Sequence, residues 1–330
     1  MSTASMHIPP MDRIETRATH ALNIRYPIVQ GGLARIAKAE LAAAVSNAGG
    51  MGQIAVAGLS DPDVLRAEIR KAKRLTQAPF GVNFPIGHLK IDALLDLTIE
   101  EGVTAVSFTG GNPQPYIRRL EGTDTRVMVL VSGPEQAQKA EQAGAHVVAT
   151  VGYEGGGHIG RSDLTTIVAI PLVVRAVGIP VLAGGGIADG AGLAAALALG
   201  ADGVEIGTRF IAVKEAFAHD NYKDAVVRAN ASDTVVVKRS LGTPGRALAN
   251  AWTERILSAE AEGQSREAIF EMVKADANER GVFGGDMESS LVWVGQAAAM
   301  VDDVPSAGEY VERMVAEAKA AGKRLARLLG

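Results

Sequence analysis

Residues 180–209 read PVLAGGGIADGAGLAAALALGADGVEIGTR, and their order decides the fold. Pro180–Ala183 is a short apolar run of strand type, followed by the glycine triplet Gly184–Gly186. Asp189 then opens an alanine- and leucine-rich helical pattern that lasts to Leu199. The step Leu199-Gly-Ala-Asp ends it, because glycine accepts the backbone conformation a helix C-terminus favours. Gly203–Ile206 is a second strand, and Gly207-Thr208-Arg209 a second glycine-bearing loop. A strand, a helix and a strand in so little chain describe one crossover between parallel neighbours.

The same rhythm extends outward from Tyr26 to Phe210. Further strands are expected at Pro27–Gln30, Met51–Val56, Phe80–Asn83, Thr104–Phe108, Arg126–Val131 and His146–Val151. Helical patterns fall between them, at Lys38–Ala48, Asp61–Leu75, Ile91–Glu101, Pro115–Leu120, Pro134–Ala143 and Leu164–Val177. Asp61-Pro62 places a capping side chain before a proline at the first helical position, and Pro134 opens another helix in the same way. Eight units repeating at about 25 residues fit a closed barrel better than an open sheet. After Phe210 the rhythm stops, and Ala218–Ala231, Gly245–Ala261 and Ser265–Ala277 read as helices. The expected fold is therefore α/β: a (β/α)8 TIM barrel with a helical insertion domain near the C-terminus. Residues 11–213 make the barrel, 214–290 a helical insertion covering the active site, and 291–330 the C-terminal helices that complete the barrel. The amphipathic Glu309–Leu329 reads as an outer barrel helix rather than a membrane-surface one.

Composition narrows the function. The 330 residues are 47% hydrophobic and 21% charged, which excludes a disordered or fibrous chain. A net charge of −4 gives no electrostatic case for nucleic acid or a membrane surface. Met1–Pro10 lacks the basic cluster and apolar core of a secretory signal and reads as a loose tail. With no cysteine there are no disulfides, thiolate metal sites or cysteine nucleophiles, and a cytoplasmic setting is expected. No HExxH, paired-histidine or clustered-carboxylate pattern supports a catalytic metal. Glu100-Glu101 reads as a solvated helix end. The 38 glycines beside only 4% aromatics suggest tight turns and close backbone approach to a ligand.

Barrel ligands sit at the C-terminal strand ends, so the loops there are the candidates. The loops after the seventh and eighth strands, with Gly184–Gly186 and Gly207-Thr208, suit an anion held by backbone N–H groups, the alternative being plain tight turns. Gly155–Gly160 fits G-x-G-x-x-G, but Leu164–Ala188 holds no acidic residue to grip a ribose, which argues against a dinucleotide fold. That loop instead presents His158, the histidine set in a glycine-rich strand-end loop, suited to moving protons; a hydrogen-bonded loop histidine is the alternative. His146 reads as packed, His219 as part of the insertion, and His7, His20 and His88 carry no pattern.

From about Arg13 to Val301 the chain resembles the FMN-dependent nitronate monooxygenases, formerly 2-nitropropane dioxygenases, and their relatives, a flavin enoyl-ACP reductase and an NADH:quinone reductase. The likeness rests on Pro27-Ile-Val-Gln30-Gly31-Gly32, Pro79-Phe-Gly-Val-Asn83, Gly111-Asn112-Pro113, Glu154-Gly-Gly-Gly-His158-Ile-Gly160, Gly184-Gly-Gly-Ile-Ala-Asp189-Gly190 and Gly207-Thr208-Arg209-Phe210. It implies an FMN cofactor and oxidation of alkyl nitronates by O2. The alternatives are reduction of an enoyl thioester or, less well matched, a quinone, with NAD(P)H as electron donor. It implies further that Gly31, Gly32, Leu33 and Asn83 border the flavin ring with Gln30 nearby, and that Gly156 passes the ring or ribityl chain. Gly184, Gly185, Gly186, Gly207 and Thr208 would take the phosphate, and His158 would be the catalytic base. The substrate would be a small molecule, with no nucleic-acid or membrane partner, and a homodimer stays open. Two departures stand out. Val131 replaces the lysine of the quinone reductase type, and Leu33-Ala-Arg35-Ile lacks the methionine and aromatic common in both relatives. Arg35 would meet an anionic or CoA-type substrate if it points inward, and is otherwise a surface arginine.

Overall fold

The computed structural model of the chain describes residues 13–59, 61–87 and 90–330. The tail expected at Met1–Pro10, with His7, and the position of His88 lie outside the described residues. In chain order the strands are β1 (Ile28–Gln30), β2 (Gln53–Ala55), β3 (Gly81–Pro85), β4 (Ala105–Thr109), β5 (Arg126–Val131) and β6 (Val147–Val151). They continue as β7 (Gly157–His158), β8 (Val181–Gly184), β9 (Gly203–Ile206), β10 (Thr234–Val237) and β11 (Gly245–Leu248). Eight of them pair in parallel in the order β1-β9-β8-β6-β5-β4-β3-β2. The two ends of that sheet meet where Gln30 N donates to the Met51 carbonyl and Met51 N to the Ile28 carbonyl, both at 2.9 Å. The barrel expected from the sequence is thus present.

These strands are buried on both faces, which is why they read as continuous apolar runs. One face packs under the surrounding helices. The other fills the interior, where Val29, Met51, Ala105, Met128, Val147 and Leu182 cluster with Leu22 and Ile24. Leu22 ends a short helix, Arg17–Leu22, capped by Thr16, so the N-terminal end of the barrel is plugged. Helices occupy the expected crossovers. Asp61 accepts from Asp63 N at 2.9 Å ahead of Pro62, and Pro134 stands in the first turn of Pro134–Gln142.

The eighth strand is not followed by its barrel helix. Beyond Ile206 come the short helix Thr208–Ile211 and the inserted segment, and the missing helix arrives only as Ala307–Leu329. It packs between the helices Gly190–Ala198 and Ala39–Asn47, burying Tyr310, Val311, Met314, Val315 and Ala318. The approach is close: a Cβ on Gly190 would lie 2.3 Å from Ala318 N and from the Met314 carbonyl oxygen.

The insertion corrects the sequence reading. It is not purely helical, because Thr234–Val237 and Gly245–Leu248 form an antiparallel hairpin that continues onto β7. The helix expected over Gly245–Ala261 starts only at Ala251, where the Asn250 side chain accepts from Thr253 N at 2.9 Å. A capping asparagine inside the expected helix and the β-branched run Thr234-Val-Val-Val are the signals that this reading passed over. The helix expected over Ser265–Ala277 is broken into Arg266–Met272 and Ala275–Gly284. Glu101 is also not a solvated residue: its side chain is 8% exposed and sits among Arg66, Arg70 and Lys73.

Two glycines at the closing helix should respond with opposite sign. Gly190→Ala forces backbone apart and should cost about 1–3 kcal/mol. Gly322→Ala, in the exposed interior of Ala307–Leu329 with nothing within 4 Å of its added Cβ, should gain about 0.5–1 kcal/mol. Denaturant midpoints check both, and equal shifts would contradict the packing described.

Candidate active site

A cavity of about 1200 Å³ opens at the C-terminal ends of the barrel strands, and each of the eight contributes to it or to the loop above it. The inserted segment supplies the opposite wall, through residues that include Lys238, Arg266, Lys274 and Glu279. Of the residues expected at the site, Gly31, Gly32, Leu33, Asn83, Gly156, His158, Gly185, Gly186, Gly207 and Thr208 line this one cavity. Gln30 and Gly184 do not. The Gln30 side chain is buried and turned along the β1–β2 seam, accepting from Gln53 N at 2.9 Å while its carbonyl accepts from Gln53 Nε2 at 2.9 Å. Gly184 lies within β8, its carbonyl taken by Gly152 N at 3.0 Å. Both stand beside the glycine motifs in sequence but face the barrel wall.

The cavity floor is a polar layer inside the barrel. Asn83 Nδ2 donates to Ser107 Oγ at 2.9 Å and to Thr109 Oγ1 at 3.0 Å, and Ser107 Oγ donates to Gln53 Oε1 at 2.5 Å. Gly32 is needed to seat Asn83, because a Cβ there would come 2.1 Å from Asn83 Oδ1. At this floor Glu205 Oε1 is buried without any hydrogen-bond partner. Glu205 was not singled out from the sequence. Its only signal is an acid within an otherwise apolar strand, Gly203-Val-Glu-Ile206, and inward facing is fixed by register rather than by local sequence.

The glycine loops converge on one side. Gly185 and Gly186 have φ of +90° and +69°, conformations that side chains disfavour. Glu154 closes the turn beneath them, accepting from Thr166 N at 2.9 Å and Thr166 Oγ1 at 2.8 Å, and so caps the helix Thr166–Ala176. Thr208 Oγ1 accepts from Gly295 N at 2.8 Å. Arg209, the next residue of that motif, is a structural clip: it donates to the Ala212 carbonyl at 2.7 Å and to Asp303 Oδ1 at 2.5 Å.

The strand-six loop is not free. Gly156 crosses the returning chain so closely that a Cβ would lie 2.5 Å from Gly295 N, and Gln296 N donates to the Glu154 carbonyl at 2.9 Å. Gly157–His158 is itself a strand, with His158 opposite Gly245. The exposed His158 ring stands 6.1 Å from that of Trp293. His146 is packed as expected, with Nδ1 accepting from Val127 N at 3.0 Å, and His219 caps the helix Asp220–Arg228. Arg35 is not a surface residue: it lines the cavity at φ +65° and meets Glu279 at 2.8 Å. Among the described residues no His/Asp/Glu cluster could hold a metal.

Burial pushes the Glu205 carboxyl up to about 7, against a smaller opposing pull from the Gln53 amide. Folding therefore withholds ionisation that the unfolded chain allows from about 4.5 upward. The two forms bind the same proton below that value, and the penalty grows up to about 7 and then levels off. Glu205→Gln should match the parent in stability near pH 4 and exceed it by about 3 kcal/mol above pH 7. Unfolding midpoints across pH check this, and parallel curves would refute it.

A profile of the nitronate monooxygenase family matches residues 15–93 and 87–317 of the chain. The chain is 33% identical to a hydroxy-methyl-oxo-octahydroindene-carboxyl-CoA dehydrogenase of Mycobacterium tuberculosis, across 93% of this chain and 96% of that one. It is 32% identical to a nitronate monooxygenase of Pseudomonas aeruginosa, across 91% and 98%. Among solved structures, FabK from Thermotoga maritima superposes with a TM-score of 0.91 at 40% identity, covering 96% of this chain and 100% of that one. A nitroalkane oxidase from Streptomyces ansochromogenes gives 0.82 at 28% identity, across 94% and 100%. With a profile match over most of its length and relatives aligned nearly end to end, the chain belongs to the nitronate monooxygenase family and is an oxidoreductase.

Proposed function

We propose that the chain is an FMN-dependent oxidoreductase that oxidises alkyl nitronates with O2. The observation that carries this reading is convergence: the paired glycine loops, the polar floor and His158 all face one cavity. Its residues suit FMN. Gly185, Gly186, Gly207 and Thr208 offer a phosphate backbone N–H groups and a hydroxyl. The partnerless Glu205 Oε1 would meet a polar edge of the cofactor, as a buried polar atom of this kind needs a partner. FMN held there would supply the redox chemistry, accepting electrons from the substrate and passing them to O2. The protein's own part is positional and acid–base. His158, fixed to β11 through its backbone, removes the α-proton from a neutral nitroalkane or orients the anion already formed. Trp293 beside it supplies an apolar wall that limits water.

A second reading is favoured by the size and charge of the cavity. At about 1200 Å³ it exceeds the range of about 300–1,000 Å³ usual for small-ligand sites. Arg35, Lys238, Arg266 and Lys274 all border it. Such a site fits an acyl thioester with an anionic carrier, and the M. tuberculosis relative is named for a CoA substrate. In that case NAD(P)H is the electron donor and His158 delivers a proton to the substrate carbon. A small-molecule substrate, a cytoplasmic setting and the division at residues 213 and 290 belong to the same proposal. No helix among the described residues is long and apolar enough to cross a membrane.

Anaerobic mixing separates the two readings: bleaching of the flavin by a nitronate but not by NADH or NADPH supports the first, and the reverse the second. Gly207 has room for a side chain, the nearest atom to an added Cβ being Leu33 Cδ2 at 3.6 Å. Gly207→Asp should therefore fold but weaken FMN binding at least about tenfold through repulsion of the phosphate. Undiminished flavin content in that variant would count against the phosphate site. His158→Ala should retain flavin and lose about 10²–10⁴-fold in turnover of neutral nitroalkanes, and far less with preformed nitronates. Near-parental rates with nitroalkanes, enones and quinones alike would reduce His158 to a loop residue.

A further inference from the structure

Lys238 borders the cavity with three other cations, and the fold goes to some length to hold it. It is a non-glycine residue at φ +54°, a left-handed conformation that costs about 1–2 kcal/mol and persists where surrounding structure enforces it. The enforcement is visible. Lys238 N donates to Glu260 Oε2 at 2.8 Å, while Glu260 Oε1 is held by Ser240 N at 2.8 Å and Ser240 Oγ at 2.6 Å. The side chain is 3% exposed and runs across Gly245, where a Cβ would come 2.9 Å from Lys238 Cε and 3.0 Å from Trp293 Cζ3. Its ammonium lies 5.8 Å from the centre of the Trp293 ring, the same ring that His158 faces. Gly245 is the ladder partner of His158, so lysine, tryptophan and histidine share one patch of cavity wall.

No carboxylate among the described residues comes within ion-pair distance of the Lys238 ammonium. Glu260 contributes attraction from behind, through a side chain already occupied by backbone and Ser240. The other charged groups nearby are engaged elsewhere. Arg246 on β11 bonds the Tyr153 carbonyl, Arg239 pairs with Asp163, and across the cavity Arg35 pairs with Glu279. A buried cation that lines a cavity without a counter-ion is costly, and an anionic ligand would relieve that cost.

The geometry points to a substrate-oxyanion subsite in which Lys238 binds the negative oxygen of a small delocalised carbon-acid anion against Trp293, next to His158. The nitronate group has that chemistry, and so does the enolate oxygen of a thioester. This inference rests on the oxidoreductase reading above and adds to it the group that selects an anion over its neutral parent. Burial lowers the Lys238 ammonium to about 8, against the pull of Glu260, so the charge is present below that pH and lost above it.

The test uses the purified chain with its flavin, and isobutyrate as a redox-inert anion that, like a nitronate, spreads its charge over two oxygens. Calorimetric affinities are measured from pH 6 to pH 10, with isobutyramide as the neutral counterpart, for the parent, Lys238→Met, Lys238→Arg and His158→Ala. The parent should bind isobutyrate about tenfold more weakly at pH 9 than at pH 7, as a single group near pH 8 loses its proton. His158→Ala should keep that fall, which assigns it to the amine. Lys238→Met should lose at least about tenfold at pH 7 and show no further fall, with isobutyramide affinity unchanged. Lys238→Arg should bind the anion with no fall up to pH 10, because a guanidinium stays charged. Binding by the parent that is flat from pH 6 to pH 10, or anion affinity in Lys238→Met equal to the parent's, overturns the subsite. Flavin content, measured on the same samples, separates the two levels. Flavin lost only in Lys238→Met makes the phosphate the anion served and refutes the subsite, whereas a parent unable to bind FMN refutes the cofactor reading.

Discussion

The buried guanidinium of Arg209 holds the two ends of the insertion together. It stands just past the eighth strand, yet its partner Asp303 belongs to the chain that returns to finish the barrel. Its face covers the Tyr310 ring at 4.7 Å, and Arg313 reinforces Asp303 at 2.7 Å. Such a group, 2% exposed, is tolerated only when paired, and the half-exposed Asp303 reaches it from the solvent edge. The closing helix can dock on Gly190 only if the insertion leaves and re-enters at adjacent points, and the Arg209–Asp303 contact fixes those points. The remaining seams follow from this one. Gly295 N reaches Thr208 Oγ1, and Gly156 passes under Val294 and Gly295, so the strand-six loop, the strand-eight loop and the returning chain touch at one place.

The barrel was legible because its signals are local and repeated. Each strand is buried on both faces and each crossover begins or ends on a proline, a capping side chain or a glycine, so a single sequence shows the period. The hairpin in the insertion was not legible. Its strands are four residues long, one begins on Gly245, and their pairing with Gly157–His158 joins segments far apart in the chain. No periodicity reports that kind of contact.

The site divides along the same line. Glycines that line the cavity announced themselves in the sequence as clusters at strand ends. Gln30 and Gly184 adjoin those clusters, and their hydrogen bonds lie in the barrel wall. Glu205 and Lys238 escaped because each is a lone polar residue in an apolar run, Gly203-Val-Glu-Ile206 and Thr234-Val-Val-Val-Lys238. Their importance comes from burial and missing partners, which are properties of three-dimensional packing.

The short ladder between β7 and β11 makes His158 part of a sheet that also contains the insertion's hairpin. Gly245 and Arg246 are the ladder partners of His158 and Gly157, so a change in the hairpin's position acts directly on the backbone that carries His158. The same hairpin bears Lys238 at its turn, and one element therefore sets the backbone on both sides of Trp293.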